Sequence, residues 1–232
     1  MVCRTPMNFA YYGNKTPEPS RIIDLYNFSG NTLAVDIETI SLDDRRPIGI
    51  SIATSPNDAY YFPLGNHPEE SVASPIIPWH LLEDSRILKV LHNANFDIQV
   101  LQEFCGHGII NYTDTMLAAQ IMGTPAYDSS LYKLCSLYFG ETLTQIEDLL
   151  GKKGKNQKTM ESVDTATIAE KCCQDTIYTY RLWELFQGKF SKRALDLDLE
   201  LMPVIREIET RGMAISTPKL LAHKEQVERE VQ

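Results

Sequence analysis

The sequence lacks several features that would assign it to a common class of protein. It has no apolar run of membrane-spanning length, and its first residues lack the apolar core of a signal peptide. Its five cysteines are an odd number without the spacing of a zinc site, and the adjacent Cys172 and Cys173, inside a helical pattern, are predicted to be buried thiols. P-loop, nucleophile-elbow and dinucleotide-binding motifs are also missing. We therefore expect an intracellular protein with no membrane partner and no zinc centre.

Basic residues are in the minority, with 22 lysines and arginines against 31 aspartates and glutamates, so the formal net charge is −9. This balance argues against a protein that coats nucleic acid through a broad basic surface. It is compatible with an enzyme that meets phosphates through bound metal ions, because such a site is itself acidic. The 232 residues are enough for one large domain, or for one domain with an appendage.

Apolar periodicity predicts strands followed by alternating strands and helices, which is typical of an α/β sheet flanked by helices. Turn-forming residues separate the first three strands and predict an antiparallel meander. Residues 1–29 are interpreted as an N-terminal arm, 30–190 as the main domain and 191–232 as a helical extension. The predicted strands are 33–37, 48–53, 59–62, 87–91 and 109–110. The predicted helices after the first strands are 79–84, 96–104, 116–122, 130–139, 143–150, 164–186, 198–211 and 218–232. Asp114 is the expected N-cap of the helix at 116–122.

Carboxylates occur at three positions where each would be costly without a partner. Asp36 and Glu38 end the first strand two residues apart, so their side chains point to the same face. Asp97 begins a helix after HNAN, and Asp175 lies within an apolar helical stretch. Taken singly, each acid is readily explained as structural, and Lys171, one turn before Asp175, is an obvious salt-bridge partner. Taken together, they are a set that suits hard divalent cations such as Mg²⁺ or Mn²⁺.

The order of these motifs, D-x-E, then N-x-x-F-D, then a helical aspartate, resembles the DEDD exonuclease superfamily. More narrowly, it resembles the 3′–5′ proofreading domain of family A DNA polymerases, the DNA polymerase I type. The segments VDIET, LHNANFD, SLYKLCSLYFG and QDTIYTYRLWE follow that family's order over roughly residues 30–190. The continuation LDLELMPVIREIETRGMAIS resembles the start of the polymerase domain. The resemblance implies a ribonuclease-H-like fold with a mixed sheet.

It also implies hydrolysis of the terminal phosphodiester at a single-stranded DNA 3′ end, beside a family A polymerase domain in cis or in trans. Two divalent metal ions, Mg²⁺ or Mn²⁺, would activate a water and stabilise the leaving 3′ oxygen. The family's metal ligands match Asp36, Glu38, Asp97 and Asp175. Its substrate contacts match Thr39, Asn93 and Phe96, while Lys153 and Lys155 are candidate phosphate contacts in a loop that is equally well explained as a solvated basic turn.

One position departs from the family pattern, because Lys171 stands where the third motif has a tyrosine. We keep Lys171 as a candidate catalytic residue, since its amine can contact the water or the scissile phosphate. The alternative is that it pairs with the carboxylates and leaves a weak or silent DNA-holding scaffold. A third alternative is an RNA 3′ exonuclease of the ribonuclease D kind, which shares the same acids.

Overall fold

A mixed six-stranded sheet organises the part of the chain that this computed structural model describes, residues 7–11, 25–41, 43–65, 77–151 and 158–231. The strands lie in the order β1-β4-β3-β2-β5-β6. β2 is antiparallel to β3 and parallel to β5, and β3 is antiparallel to β4. The strands are β1 (Asn8–Tyr11), β2 (Thr32–Thr39), β3 (Pro47–Ala53), β4 (Asp58–Pro63), β5 (Leu88–Leu91) and β6 (Tyr112–Asp114).

The central strand β2 is stabilised by burial of its apolar residues. Leu33, Ala34 and Val35 are fully buried, and Ile37 is nearly so. Residues at this depth strongly favour the interior because each apolar side chain removed from water contributes about 1.5–3 kcal/mol. The predicted antiparallel meander of the first three strands is confirmed, and the ladder irregularity between Glu38 and Thr39 marks where β2 leaves regular pairing.

Helices pack on this sheet, and the longest helix of the sheet-bearing unit covers its centre. That helix, α6, packs against β2, β3 and β4. Asp164 caps its first turn by accepting a hydrogen bond from the Thr167 amide at 2.9 Å. The helices are α1 (Trp79–Leu82), α2 (Ala94–Val100), α3 (Thr115–Ile121), α4 (Leu131–Phe139), α5 (Ile146–Leu150), α6 (Thr165–Phe186), α7 (Lys192–Arg211) and α8 (Thr217–Val231).

Three predicted elements differ from the structure. Strand β1 lies within the predicted N-terminal arm, where it pairs in parallel with β4 at the sheet edge. The strand predicted at 109–110 is absent there, and Tyr112–Asp114 pairs with β5 instead. Helix α7 begins at Lys192, six residues before the predicted start. The two strands depend on long-range pairing, which has no strong local signal. The start of α7 does have a local signal, because the Ser191 hydroxyl accepts a hydrogen bond from the Ala194 amide at 3.4 Å.

The chain divides into two compact units, Met1–Leu199 and Glu200–Gln232. The first unit contains the sheet and α1 to α6, and it extends into α7, where Leu195 is buried in the main apolar cluster. The boundary at residue 190 stays a prediction. The second unit consists of the rest of α7, with Pro203 inside it, and α8. Within the described ranges, every helix is too short or too polar to cross a membrane.

Candidate active site

The end of β2 places two carboxylates side by side next to helix α6. Asp36 lies opposite Ser51 of β3, and Glu38 lies opposite Gly49. Glycine suits position 49, because a Cβ there would clash with the buried side chain of Tyr61. Glu38 is 6% exposed, while Asp36 is half-buried. The alternation of the strand therefore directs both acids out of the sheet on one face, as the D-x-E spacing predicts.

Asp97 reaches the same cluster from α2. The chain turns sharply between β5 and α2 at Asn93, whose φ of 70° lies in the left-handed region that asparagine tolerates better than most residues. The turn places Asp97 in the first turn of α2, where its carboxylate accepts a hydrogen bond from the Ile37 amide of β2. Asp97 is 3% exposed, so α2 holds a carboxylate directly against the central strand.

Asp114 fixes the start of α2 in that position. As the N-cap of α3, it accepts hydrogen bonds from the amides of Met116 and Leu117. The same carboxylate accepts from the amides of Asn93 and Ala94 at 3.2 and 2.8 Å. The predicted capping role of Asp114 is confirmed. Its second role, joining the starts of α2 and α3, is a long-range contact that the sequence did not reveal.

Helix α6 supplies Asp175 and Lys171, which share one face at an i, i+4 spacing. The Lys171 ammonium donates to Asp175 Oδ2 at 2.9 Å and to Glu38 Oε1. The Lys171 side chain is only 7% exposed, so these ion pairs are withdrawn from solvent. The predicted pairing with Asp175 is confirmed, and the additional partner, Glu38, lies on the central strand 133 positions away.

A set of polar contacts beside the cluster, between Ser51 of β3 and Cys172 and Thr176 of α6, holds α6 against the sheet. Cys172 Sγ lies 3.4 Å from Asp36 Oδ2 and 3.1 Å from Ser51 Oγ. Ser51 Oγ also donates to the Cys172 carbonyl at 3.0 Å and contacts the Thr176 hydroxyl. The sequence predicted a buried thiol here, which is correct, but it gave no sign that this thiol contacts Asp36.

Burial and the repulsion of neighbouring carboxylates raise the pKa values of Asp36, Asp97 and Asp175. Burial is the main reason that the pKa of Asp36 rises to about 8, and the negative charges of Glu38 and Asp175 add to it. Burial also raises the pKa of Asp97 well above its ordinary value, with Asp36, Asp114 and Glu38 contributing repulsion. The positive charge within the cluster is therefore too small to keep all of its carboxyl groups ionised.

The lysine relieves only part of this repulsion. Burial disfavours its ammonium, but Glu38, Asp175 and Asp36 together raise the pKa of Lys171 well above its ordinary value. Burial still raises the pKa of Asp175, although Lys171 opposes the rise. One ammonium does not keep four neighbouring carboxyls ionised, so the metal-free cluster retains protons on Asp36 and Asp97, and a divalent cation is suited to replace them.

The donor atoms fit such a cation. Asp36, Glu38 and Cys172 each offer a ligand atom, and these atoms lie within 4.8 Å of one another. Carboxylate oxygens suit Mg²⁺ and Mn²⁺, whereas a protonated buried thiol does not. Burial is the main reason that the pKa of Cys172 is raised well above its ordinary value, which keeps the sulfur protonated. The carboxylates are therefore the fitting ligands, and Cys172 serves as a hydrogen-bonding neighbour.

A cleft of about 590 Å³ opens next to the cluster. Its walls include Glu38, Thr39, Lys171 and Asp175, and it extends along α5 to Lys158. Thr39 is 8% exposed and donates its hydroxyl to the Ser41 carbonyl at 3.1 Å. This brings one predicted substrate residue, Thr39, to the cleft wall beside the acids.

The remaining predicted substrate residues have different surroundings. Asn93 is exposed at the start of α2, outside the residues that line the cleft. Phe96 is half-buried, with the Arg45 guanidinium 5.6 Å from its ring centroid. Arg45 was not singled out from the sequence, where it is one of several charges in a turn. Lys153 and Lys155 lie outside the described residues.

The 3′–5′ exonuclease domain model of the DNA polymerase A type matches residues 18–190 of this sequence. That is most of the chain and the whole of the sheet from β2 onward. The chain belongs to this 3′–5′ exonuclease family. The predicted resemblance is confirmed, and the chain is an exonuclease domain of the kind that uses divalent metal.

DNA polymerase I of Pseudomonas aeruginosa is 28% identical to the exonuclease domain over 203 residues. The match covers 79% of this chain but 22% of the relative, so the chain spans about a fifth of the polymerase's length. DNA polymerase I of Chloroflexus aurantiacus is 29% identical over 213 residues, covering 84% of this chain and 21% of the relative. These relatives carry the same domain within a longer protein.

Solved structures confirm the ribonuclease-H-like fold. Brucella melitensis NrnC bound to pGG superposes with a TM-score of 0.66 at 20% identity, covering 90% of this chain and 97% of the other. Escherichia coli RNase D, described as an exoribonuclease involved in structured RNA processing, superposes with a TM-score of 0.64 at 18% identity. That match covers 87% of this chain and 51% of RNase D. At these identities the likeness establishes the fold and leaves the substrate open.

Proposed function

We propose that this exonuclease domain hydrolyses the terminal phosphodiester at the 3′ end of single-stranded DNA, as the proofreading part of a family A polymerase. The observation that carries the proposal is the convergence of Asp36, Glu38, Asp97 and Asp175 from three separate elements beside one cleft. The DNA polymerase I relatives support DNA as the substrate and a polymerase partner in the same or another chain. They also support action inside the cell.

In this proposal the four carboxylates hold two divalent ions, Mg²⁺ or Mn²⁺. When bound, such ions supply a water activated as a nucleophile and compensate the charge on the leaving 3′ oxygen. The chain's own residues orient this chemistry. The hydrogen bonds of Asp114 hold α2 in position and with it Asp97. The hydrogen bond between Cys172 and Ser51 holds α6 against the sheet.

The cleft would receive the last nucleotides of the strand. Thr39 lies on its wall next to Glu38, and in this proposal its backbone would meet the terminal nucleotide. Lys158 lies on the same wall and supplies positive charge for a backbone phosphate. Asn93, Phe96, Lys153 and Lys155 remain proposed substrate contacts from the family resemblance.

Two other functions have support of their own. The burial of Lys171 between Glu38 and Asp175 favours a weak or silent DNA-holding scaffold. The fold shared with RNase D favours an RNA 3′ exonuclease. Activity is expected because all four acids are present and the cluster still lacks positive charge.

The deciding experiment compares hydrolysis of 3′-labelled single-stranded DNA and RNA oligonucleotides of the same sequence, with Mg²⁺ or Mn²⁺ and with EDTA. We expect metal-dependent shortening of the DNA from its 3′ end, and none with the Asp36→Ala variant. Faster shortening of RNA would support the ribonuclease function. No shortening of either strand, with retained binding of DNA, would support the scaffold.

A further inference from the structure

The ammonium of Lys171 occupies one side of the carboxylate cluster. It bridges Glu38 and Asp175, which are themselves 8% and 15% exposed in their side chains. A charged lysine withdrawn from water at this depth depends on its carboxylate partners, because it would otherwise lose hydration without compensation. The ion pairs of Lys171 with Glu38 and Asp175 are therefore an integral part of the folded site.

The charge of Lys171 also acts on Asp36, but the ammonium makes its direct ion pairs with Glu38 and Asp175. Among the described residues, neither Asp36 nor Asp97 forms an ion pair with a lysine, an arginine or a histidine. Asp36 receives the weak hydrogen bond of the Cys172 thiol, and Asp97 receives a backbone amide. Neither contact brings a full positive charge, so these two carboxylates remain available to a metal ion.

We propose that the two cation positions of this site are unequal, because Lys171 already fills one of them. A divalent ion that takes its ligands from Asp36 and Asp97, without Glu38, binds without displacing any side chain, whereas an ion that also uses Glu38, whose ligand atom lies within 4.8 Å of that of Asp36, competes with the ammonium. A divalent ion at Glu38 and Asp175 must first displace the ammonium from both carboxylates. This inference rests on the proposed function for the assignment of the four acids as metal ligands.

The surroundings of Lys171 allow this displacement without unfolding. Its side chain is part of the cleft wall, so the flexible four-carbon stem has open space on one side. Loading of the site then takes place in two steps. The first ion binds at low concentration, and the second binds at a concentration high enough to compete with a side chain that is always present.

The inequality of the two cation positions is tested by counting the Mn²⁺ ions that bind to EDTA-stripped protein. The two methods are isothermal titration calorimetry and the loss of the free-ion signal in electron paramagnetic resonance. We expect one ion to bind the native protein first, and a second to bind about tenfold or more weakly. Lys171→Met removes the ammonium and retains the apolar stem. In that variant the second ion should bind about tenfold or more tightly than in the native protein.

Lys192→Met is the matched control. Lys192 pairs with Asp196 at the same i, i+4 spacing, with 2.7 Å between the charged atoms, but on exposed α7 rather than in the cluster. It should leave both Mn²⁺ affinities unchanged. Two ions of equal affinity in the native protein would overturn the inference and leave the proposed nuclease function standing. No bound Mn²⁺ in any variant would instead overturn the proposed metal site, and the inference with it.

A measurement on the native chain avoids dependence on a variant that folds poorly. Reductive methylation followed by peptide mass spectrometry reports how accessible each lysine amine is. Lys171 should be protected in EDTA, and its protection should fall over the Mn²⁺ concentrations at which the second ion binds. Lys192 should react equally throughout. Protection of Lys171 that persists with two ions bound would show that metal enters without displacing it, which overturns the inference.

Discussion

The two sides of the carboxylate cluster balance their negative charge by different means. Around Asp97 the partners are backbone amides, one from β2 to Asp97 itself and four to the neighbouring Asp114. Around Asp175 and Glu38 the partner is the ammonium of Lys171. Amides belong to the fold and stay in place, whereas a lysine side chain can leave. In the proposed function, the first arrangement holds a metal ligand in a fixed position, and the second arrangement controls access to one.

The largest expected effect comes from removing an acid on the amide side. Asp97→Ala, like Asp36→Ala, should lower turnover by more than about 1,000-fold, roughly 4 kcal/mol in the barrier, because metal-bound charge stabilisation is lost. The metal-free variant should be as stable as the native protein or more so, since one repelling charge is gone. Turnover of a labelled oligonucleotide and a circular dichroism melt measure both. Asp196→Ala, an exposed acid outside the cluster, is the control, and near-native turnover of Asp97→Ala would remove it from the ligand set.

The next largest effect concerns metal and folding. Mn²⁺ should stabilise the native protein by about 2.7 kcal/mol at a hundredfold excess over its dissociation constant, because it binds the assembled site and not the unfolded chain. That corresponds to a rise of roughly 5–11 °C in melting temperature for a chain of this size. Asp97→Ala should lose most of the rise. An unchanged melting curve at millimolar Mn²⁺ would favour the scaffold over the nuclease.

The pH dependence of stability should reveal which side of the cluster titrates. Because the pKa of Asp36 is about 8 in the folded protein, the folded state keeps a proton that the unfolded chain releases near its ordinary value of 3.8. The metal-free protein should therefore lose stability as pH rises from about 4 to about 8, by up to about 1.4 kcal/mol per pH unit per group. Urea unfolding in EDTA at pH 6 and pH 8 measures this.

Asp36→Asn is the matched variant for that experiment, since it keeps the shape and removes the titrating group. Its stability should change less between pH 6 and pH 8 than that of the native protein. Lys171 should not contribute to the slope in this range, because its raised pKa keeps it charged throughout. A native protein that becomes more stable from pH 6 to pH 8 would contradict the charge distribution described for this site.

The smallest expected effect tests the lysine side. Lys171→Tyr restores the family residue and should raise Mg²⁺-dependent turnover on single-stranded DNA by up to about tenfold, roughly 1.4 kcal/mol. Lys171→Ala should change turnover little, or raise it slightly, because it removes a competing charge without supplying a hydroxyl. Turnover across a Mg²⁺ titration distinguishes the two variants. A loss of tenfold or more in both would make Lys171 a working catalytic residue.

Short-range rules predicted much of this molecule. The D-x-E spacing placed Asp36 and Glu38 on one face, and the capping rule placed the start of α3 at Asp114. The i, i+4 rule paired Lys171 with Asp175. Each of these conclusions depends on residues within one turn or one strand, where the geometry of the backbone alone decides which side chains are neighbours.

Apart from the early start of α7, the missed features depend on contacts between distant parts of the chain. Strand β1 has four residues and gains its place from pairing with β4, about 50 residues later. The contact between Cys172 and Asp36 spans 136 positions. Such contacts form because the packed sheet brings the elements together. The residues around one member of such a pair do not indicate which distant residue will be its partner. Cys172 lies three residues before Asp175 on α6, so a helical wheel places it near the acidic face of the helix. This spacing was the available signal that Cys172 would lie near the carboxylates.

The double role of Asp114 has a consequence for how the domain opens. Its carboxylate ties the first amides of α3 to the amides that begin α2, so one turn cannot fray without releasing the other. The two helix starts should therefore exchange their amide hydrogens with solvent as a single cooperative unit, at one shared opening free energy. Asp97 lies one turn into α2, so the same event that exposes these amides also disperses the acids. The integrity of the site is in this sense a property of a carboxylate that meets neither metal nor DNA.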